Sequence, residues 1–147
     1  MEPRIDYFRA APEVMKAMVA LERAVVTSGL EKSLIELVKT RSSQINGCAF
    51  CIDMHTRDAI KAGETPTRLF LLDAWREAPF YTERERAALA WTDALTLISE
   101  THAPDEDWVA LKAHFSEEEI VKLSLLIATI NAWNRLAIGF RAVPTGA

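Results

Sequence analysis

Residues 47–62 read GCAFCIDMHTRDAIKA, a run in which apolar and polar side chains alternate at helical rather than strand spacing. A glycine stands at its start, and Gly63 follows it at the position where helices commonly end. Asn46, just before the run, is a candidate N-cap. The sequence therefore predicts one helix over this stretch.

Both cysteines of the chain lie in this run, and a histidine follows one helical turn later. On a helix with 3.6 residues per turn, Cys48, Cys51 and His55 share one face. Phe50 and Met54 point the other way and would be exposed in a monomer, so we expect another subunit to cover them. This indicates a homo-oligomer, either a dimer, a trimer or a hexamer.

The composition is that of an ordinary globular chain. Its 147 residues are most simply one domain, spanning residues 1–147, and half of them are hydrophobic. The net charge of −4 disfavours nucleic acid as the main partner, because phosphate contacts need clustered Lys and Arg.

The location expected for the chain is the cytoplasm. The first residues carry charges where a signal peptide needs an apolar core. The most apolar run, residues 123–140, is interrupted by Asn131, Asn134 and Arg135, which disfavours a membrane span. Two cysteines three positions apart cannot link distant segments, and they fit a reducing compartment. We therefore expect no membrane partner.

The rest of the chain also predicts helices, with no convincing strand pattern. A Thr82-x-x-Glu85 and a Ser116-x-x-Glu119 capping box mark two of the starts. The last helix, of roughly 23 residues and about 35 Å, is apolar nearly all round and is expected to be buried at the centre. The predicted fold is all-α, a bundle of about six or seven helices over residues 12–28, 31–45, 47–62, 68–77, 82–99, 105–115 and 116–138.

The Cys-x-x-Cys pair permits three interpretations. The two thiols can be small buried core residues. They can bind zinc together with His55, in which case a fourth ligand must come from water or from Glu36, His102 or His114. They can also perform redox chemistry, because side chains three apart on a helix are close enough for a disulfide. Thioredoxin is excluded, since its cysteine pair follows a strand.

The spacing of Glu36, Cys48, Cys51 and His55, E-x11-C-x-x-C-x3-H, resembles the core motif of the AhpD-like alkylhydroperoxidases, within the carboxymuconolactone decarboxylase family. The resemblance is specific over residues 30–63 and looser elsewhere. It implies an all-helical AhpD-like fold, an obligate oligomer and peroxide reduction by the cysteine pair, with no cofactor and no metal. It also implies that Cys51 is the peroxidatic thiol, Cys48 the resolving thiol, and His55 and Glu36 a proton relay.

One position departs from the best-characterised branch of that family, which has a histidine directly before the second cysteine. Here that position is Phe50. The auxiliary proton carrier is therefore missing, and we expect lower efficiency as a peroxidase.

The chemistry of the four residues supports the same roles. A thiolate rather than a thiol attacks peroxide oxygen, and an unperturbed cysteine is only a few per cent thiolate at neutral pH. His55 can accept the proton of Cys51 as a base, and a carboxylate such as Glu36 can orient the imidazole. The resulting sulfenic acid on Cys51 condenses with Cys48 to a disulfide, which an external dithiol donor must reduce.

The position of Glu36 in the chain permits two interpretations. It lies opposite the main apolar face of the second predicted helix, where a glutamate is usually solvated. Ser33, Thr40 and Ser43 on the same side are small, however, and would let the cysteine helix pack closely. In that case Glu36 would meet His55.

The function expected is a thiol-dependent peroxidase that reduces organic hydroperoxides or related oxidants. The alternatives are a carboxymuconolactone decarboxylase-type lyase, whose chemistry does not call for a dithiol, and a non-enzymatic redox sensor or metal-binding oligomer. Steady-state turnover of a peroxide with a dithiol donor distinguishes the enzyme from the sensor.

Overall fold

A computed structural model describes residues 1–145 of the protein, in which every regular element is helical, so the all-α prediction is confirmed. The described part has more helices than the six or seven expected. They are α1 (Tyr7–Ala10), α2 (Pro12–Val26), α3 (Lys32–Asn46), α4 (Ala49–Lys61), α5 (Pro66–Phe70), α6 (Glu83–Thr96), α7 (Ile98–Thr101), α8 (Asp105–His114) and α9 (Glu117–Phe140), with a 3-10 turn at Leu72–Ala74.

The C-terminal helix α9 is the central element of the bundle, as its sequence predicts. It begins at the capping box, where Ser116 Oγ accepts from the Glu119 amide and the Glu119 carboxylate accepts from the Ser116 amide. Leu123, Leu126 and Ile130 are fully buried, and α9 contacts α2, α3, α4, α6 and α8. Burial of this apolar surface is the main contribution to the stability of the core.

Within residues 1–145, α9 is the one helix long and apolar enough to cross a membrane by length and composition. In its most apolar window 44% of the residues are buried inside the bundle. Core helices of globular proteins meet the same criterion, so this property does not by itself indicate a membrane.

Helix α3 is buried on more sides than its sequence predicts. All ten residues from 34 to 43 are buried, including Glu36 and Arg41, because α4, α6 and α9 pack around it. The buried guanidinium of Arg41 donates from Nε to Oδ1 of Asp93 on α6 at 2.7 Å. Ion pairing of this kind offsets the cost of removing both charges from water.

The junction between α3 and α4 differs from the predicted helix over residues 47–62. Gly47 adopts a left-handed conformation (φ 68°) and ends α3, while Cys48 is extended (φ −86°, ψ 92°) and occupies the N-cap position of α4. The expected N-cap, Asn46, is instead the last residue of α3. Its side chain donates at 2.9 Å to the side chains of both Asn131 and Asn134 on α9.

Three further boundaries depart from the prediction. The helix expected over residues 68–77 is α5 followed by a 3-10 turn, and the one expected to reach Ser99 is interrupted at Leu97 before α7. Helix α1 has no counterpart in the prediction, although Asp6 caps it by accepting from the Arg9 amide at 3.1 Å. These short elements lack the two full turns that a periodic pattern needs.

Candidate functional site

A histidine and a glutamate meet where α3 packs against α4. Nδ1 of His55 lies 3.0 Å from Oε2 of Glu36, and the two residues are only 5% and 9% exposed. An ionised carboxylate can only accept hydrogen bonds, so Nδ1 carries the proton in this pair. Nε2 of the neutral imidazole is then left as a proton acceptor. The contact holds the ring in one orientation, and an ionised carboxylate at this position selects the tautomer with the proton on Nδ1.

The two cysteines are reduced, buried and close together. Cys48 is 1% exposed and Cys51 is 2% exposed, and they form a small apolar cluster with Ala137 of α9. Cys51 lies on α4 one turn before His55, so these two side chains are neighbours on the helix surface. The site thus combines two thiols with an oriented imidazole.

The two thiols have different acidities. A hydrogen bond from the Cys51 thiol lowers the pKa of Cys48 to about 7, and the first amides of α4, those of Cys51 and Phe50, face the Cys48 sulfur and lower it further. The same hydrogen bond to Cys48, then burial, and then the negative charge on Cys48 raise the pKa of Cys51. As the pH rises through about 7 the pair loses one of its two protons, and the negative charge that forms lies mainly on Cys48.

Asn134 on α9 belongs to the site as well. Its side chain is fully buried, donates to Ser43 Oγ at 3.0 Å, and faces both sulfurs, where it lowers the pKa of Cys48 and of Cys51. The sequence predicts only that this amide needs a buried partner. In the sequence, the only indication of this role is that asparagines interrupt an apolar helix. That pattern does not identify the thiols as the partner of Asn134.

A cavity of about 670 Å³ opens onto Cys51, His55 and Glu36. Its walls are mainly apolar and come from α1, α2, α3, α4 and α9, with Tyr7, Phe8, Val19, Phe50, Met54 and Trp133 among the lining side chains. We call this space the main cavity. It brings three of the four predicted site residues to one surface, while Cys48 does not line it.

Phe50 and Met54 form part of the wall of the main cavity and are half-buried. The prediction that both would be exposed on the back of the cysteine helix is therefore wrong. The reason is that Phe50 packs against the cysteine cluster, which includes Ala137 of α9, while side chains of α1 and α2 line the same cavity as Met54. The large exposed apolar side chains are elsewhere, for example Val14 (71%), Phe70 (82%) and Val121 (66%).

The N-terminal helix α1 closes one side of the main cavity. The ring of Tyr7 lies 5.3 Å from that of Phe140, and the Arg4 amide donates to the Phe140 carbonyl at 2.9 Å. Burial raises the pKa of Tyr7, and negative charge on Cys51 and Cys48 raises it further. Tyr7 is therefore near the thiols, a placement that no motif in the sequence indicates.

The two remaining histidines lie outside the site. His102 and His114 are exposed at the ends of α7 and α8. Among residues 1–145 there is no group of three or more His, Cys, Asp or Glu side chains arranged to hold a metal ion. The structure thus does not bring together the ligand set that a zinc site would need.

Comparison with known proteins gives one family match: residues 12–94 match the carboxymuconolactone decarboxylase family. The Bacillus subtilis protein YdfG, described as uncharacterized, is 46% identical over 138 residues, which are 94% of each chain.

Crystal structures of several proteins resemble this one. A protein of unknown function from Agrobacterium tumefaciens, provisionally described as the antioxidant defence protein AhpD, is 52% identical with a TM-score of 0.95, covering 97% of this chain and 98% of that chain. The debrominase Bmp8 is 21% identical with a TM-score of 0.81, covering 93% of this chain and 74% of that chain, a level that indicates a shared fold.

Proposed function

Because the chain belongs to the carboxymuconolactone decarboxylase family and is AhpD-like, we propose that it is a thiol peroxidase that reduces organic hydroperoxides through Cys48 and Cys51. The observation that supports this most is the buried contact between His55 and Glu36, at 3.0 Å, beside Cys51 in the main cavity. A nucleophile, a base and a group that orients the base are the parts that thiol activation requires.

Cys51 is proposed as the peroxidatic thiol because it lines the main cavity, where an oxidant can reach it. In the resting pair Cys51 holds the proton, so attack requires that this proton leaves. His55 Nε2 accepts it, and the Glu36 carboxylate stabilises the imidazolium that forms. Cys51 is then a thiolate at the moment when the peroxide is bound.

The oxidative half of the cycle proceeds in two steps. The Cys51 thiolate attacks the terminal peroxide oxygen, the O–O bond breaks, and the leaving alkoxide takes the proton from His55 to give an alcohol. The Cys48 thiolate then attacks Sγ of the Cys51 sulfenic acid and forms the disulfide, releasing hydroxide that is protonated to water. The balance is one hydroperoxide and two thiols to one alcohol, one water and one disulfide.

The walls of the main cavity favour an apolar oxidant. Aromatic and aliphatic side chains make up most of its lining, and its volume of about 670 Å³ is within the usual range for small-molecule sites. Hydrogen peroxide gains nothing from such a surface, whereas an alkyl or aryl hydroperoxide buries its organic group there. We therefore infer an organic hydroperoxide as the preferred substrate.

The cycle also implies partners. An external dithiol must return the disulfide to two thiols. The exposed apolar side chains Val14, Phe70 and Val121 favour a homo-oligomer, either a dimer, a trimer or a hexamer. A reducing cytoplasm suits a pair of cysteines that must be free for each turnover.

The fold does not decide the chemistry alone, since the debrominase Bmp8 shares it. Steady-state turnover of a hydroperoxide with a dithiol donor distinguishes a peroxidase from a lyase or a redox sensor. Wild-type protein with dithiothreitol and cumene hydroperoxide should turn over, and Cys51→Ser should be inactive. If the wild-type protein does not turn over cumene hydroperoxide, the peroxidase proposal is wrong, and a redox sensor or a lyase remains as the function.

The order of the two thiols is tested by a sulfenate-specific label and mass spectrometry. After peroxide, Cys48→Ser should hold the label on Cys51, because no second thiol can condense with the sulfenic acid. Label on Cys48 in the Cys51→Ser protein would reverse the assignment.

A further inference from the structure

The two thiols face two different openings. Cys51 lines the main cavity, whereas Cys48 lines a separate depression of about 250 Å³. Gly47, Ala49, Ile138, Arg141 and Ala142 are among the other residues around this second opening, which we call the Cys48 groove. Phe50 and Ala137 border both spaces and form the partition between them.

We propose that the reducing dithiol enters through the Cys48 groove and attacks Sγ of Cys48, so that the mixed disulfide forms on Cys48 while the oxidant uses the main cavity. This inference rests on the proposed dithiol cycle. It assigns the two half-reactions to opposite sides of the partition made by Phe50 and Ala137. Oxidant and reductant then do not compete for one space.

The exchange is balanced at each step. A donor thiolate bonds to Cys48 Sγ, the Cys48–Cys51 bond breaks, and its electron pair stays on Cys51 Sγ, which takes a proton from the donor's second thiol. That second thiolate attacks the donor sulfur of the mixed disulfide and releases Cys48 as a thiolate. The donor is oxidised to a disulfide, and the protein is reduced by two electrons.

The acidity of the two thiols favours the second step. The leaving group is Cys48, whose pKa is lowered to about 7, and a thiol of low pKa leaves faster in thiol–disulfide exchange. The amides at the start of α4 that lower this pKa face the Cys48 sulfur. The same attack on a Cys51 mixed disulfide would expel the less acidic thiol. Cys51 also leaves in the first step, so access through the groove, rather than acidity, selects Cys48 for the first attack.

The shape and charge of the Cys48 groove limit the donor. Cys48 is 1% exposed at a depression of about 250 Å³, so the donor must present its thiol on a slender chain. The exposed guanidinium of Arg141 lies at the groove and attracts a thiolate. These features fit a small neutral or anionic dithiol better than a cationic one.

The first test fills the groove. Ala49 is exposed and lines it, so Ala49→Trp should obstruct entry. The matched control is Ala62→Trp, an exposed alanine at the other end of α4. Each protein is oxidised with diamide, and the return of free thiols on addition of dithiothreitol is followed. Reduction of Ala49→Trp should be slower by about tenfold or more, because exchange depends on access to the sulfur.

Reduction of Ala49→Trp at the rate of Ala62→Trp would overturn the proposal. So would a main-cavity variant, Val19→Trp, that slowed reduction more than Ala49→Trp does. Neither experiment uses a peroxide. Absence of peroxide turnover would therefore contradict the proposed peroxidase function alone. Slow reduction of Ala49→Trp would still support the Cys48 groove as the entry of the dithiol.

A second measurement locates the reactive sulfur directly. The single-thiol proteins Cys51→Ser and Cys48→Ser are mixed with 2-hydroxyethyl disulfide at neutral pH, and the adduct is measured by mass spectrometry. The hydroxyl introduced by Cys51→Ser can still donate a hydrogen bond to the Cys48 thiolate. This protein should therefore react about tenfold faster or more than Cys48→Ser, in line with its larger thiolate fraction. Faster reaction at Cys51 in the Cys48→Ser protein would contradict the proposal.

Discussion

Nδ1 of His55 and Oε2 of Glu36 are 3.0 Å apart, on two helices that bury both side chains. The contact joins residues 19 positions apart in the chain, and it exists only because α3 and α4 pack closely. A carboxylate in this position holds the imidazole in one tautomer and stabilises its protonated form. In the proposed mechanism, activation of Cys51 depends on this contact.

Glu36→Gln keeps the size of the side chain and removes the charge that stabilises the imidazolium. We expect peroxide turnover to fall by roughly ten- to ten-thousand-fold, the range for losing acid–base assistance, while diamide still forms the Cys48–Cys51 disulfide. Glu118→Gln, at an exposed position in the first turn of α9, is the control and should behave as wild type. Equal turnover in the two variants would remove Glu36 from the mechanism.

The pH dependence of thiol reactivity follows from the lowered pKa of Cys48, about 7 against an ordinary 9.0. A lowered pKa means that the thiolate is present above pH 7 and is lost as the pH falls through it. Alkylation of Cys48 by iodoacetamide should therefore rise with a midpoint near 7 and then level off. A rate that keeps rising through pH 9 would show that the fold does not acidify this thiol.

Asn134 and Asn131 form a matched pair for testing the amide beside the thiols. Both accept from Asn46 at 2.9 Å, but only Asn134 faces the sulfurs. Asn134→Leu and Asn131→Leu should each cost about 1–3 kcal/mol of unfolding free energy, because they leave buried partners unsatisfied. Only Asn134→Leu should also raise the pKa of Cys48. A shift of equal size in both variants would contradict this role.

The assembly state is a separate prediction. Val14, Phe70 and Val121 are apolar side chains left exposed on α2, α5 and α9, and contact with another subunit would remove them from water. Light scattering at micromolar concentration should give at least twice the chain mass of 16.5 kDa. A stable particle of 16.5 kDa would refute the homo-oligomer.

The sequence predicts the helical class and the central α9 because both follow from periodicity and capping boxes. The small residues on one side of α3 allow Glu36 to meet His55, and the resemblance of the motif implies that contact, although the position of Glu36 alone favours a solvated side chain. The break between Gly47 and Cys48 is not predicted, because the helical pattern continues through it. The left-handed turn at Gly47 places Cys48 at the N-cap and gives the two thiols different surroundings.

Contributions from distant segments could not be predicted. Asn134 and Tyr7 reach the thiols from the two ends of the chain, and their placement depends on how α1 and α9 pack. The exposed face expected for Phe50 and Met54 is wrong for the same reason, since a single helix does not reveal what its neighbours cover. Local spacing identifies the motif, whereas tertiary packing determines its environment.

The most direct measurement of the central claim is the stoichiometry of a single turnover. Reduced protein is mixed with one equivalent of cumene hydroperoxide without a donor, and free thiols, alcohol and bound metal are determined together. The account predicts that both thiols of the chain are lost, that one alcohol forms per chain and that no metal is present. Two thiols that persist in the presence of one bound zinc per chain, with no alcohol formed, would contradict it.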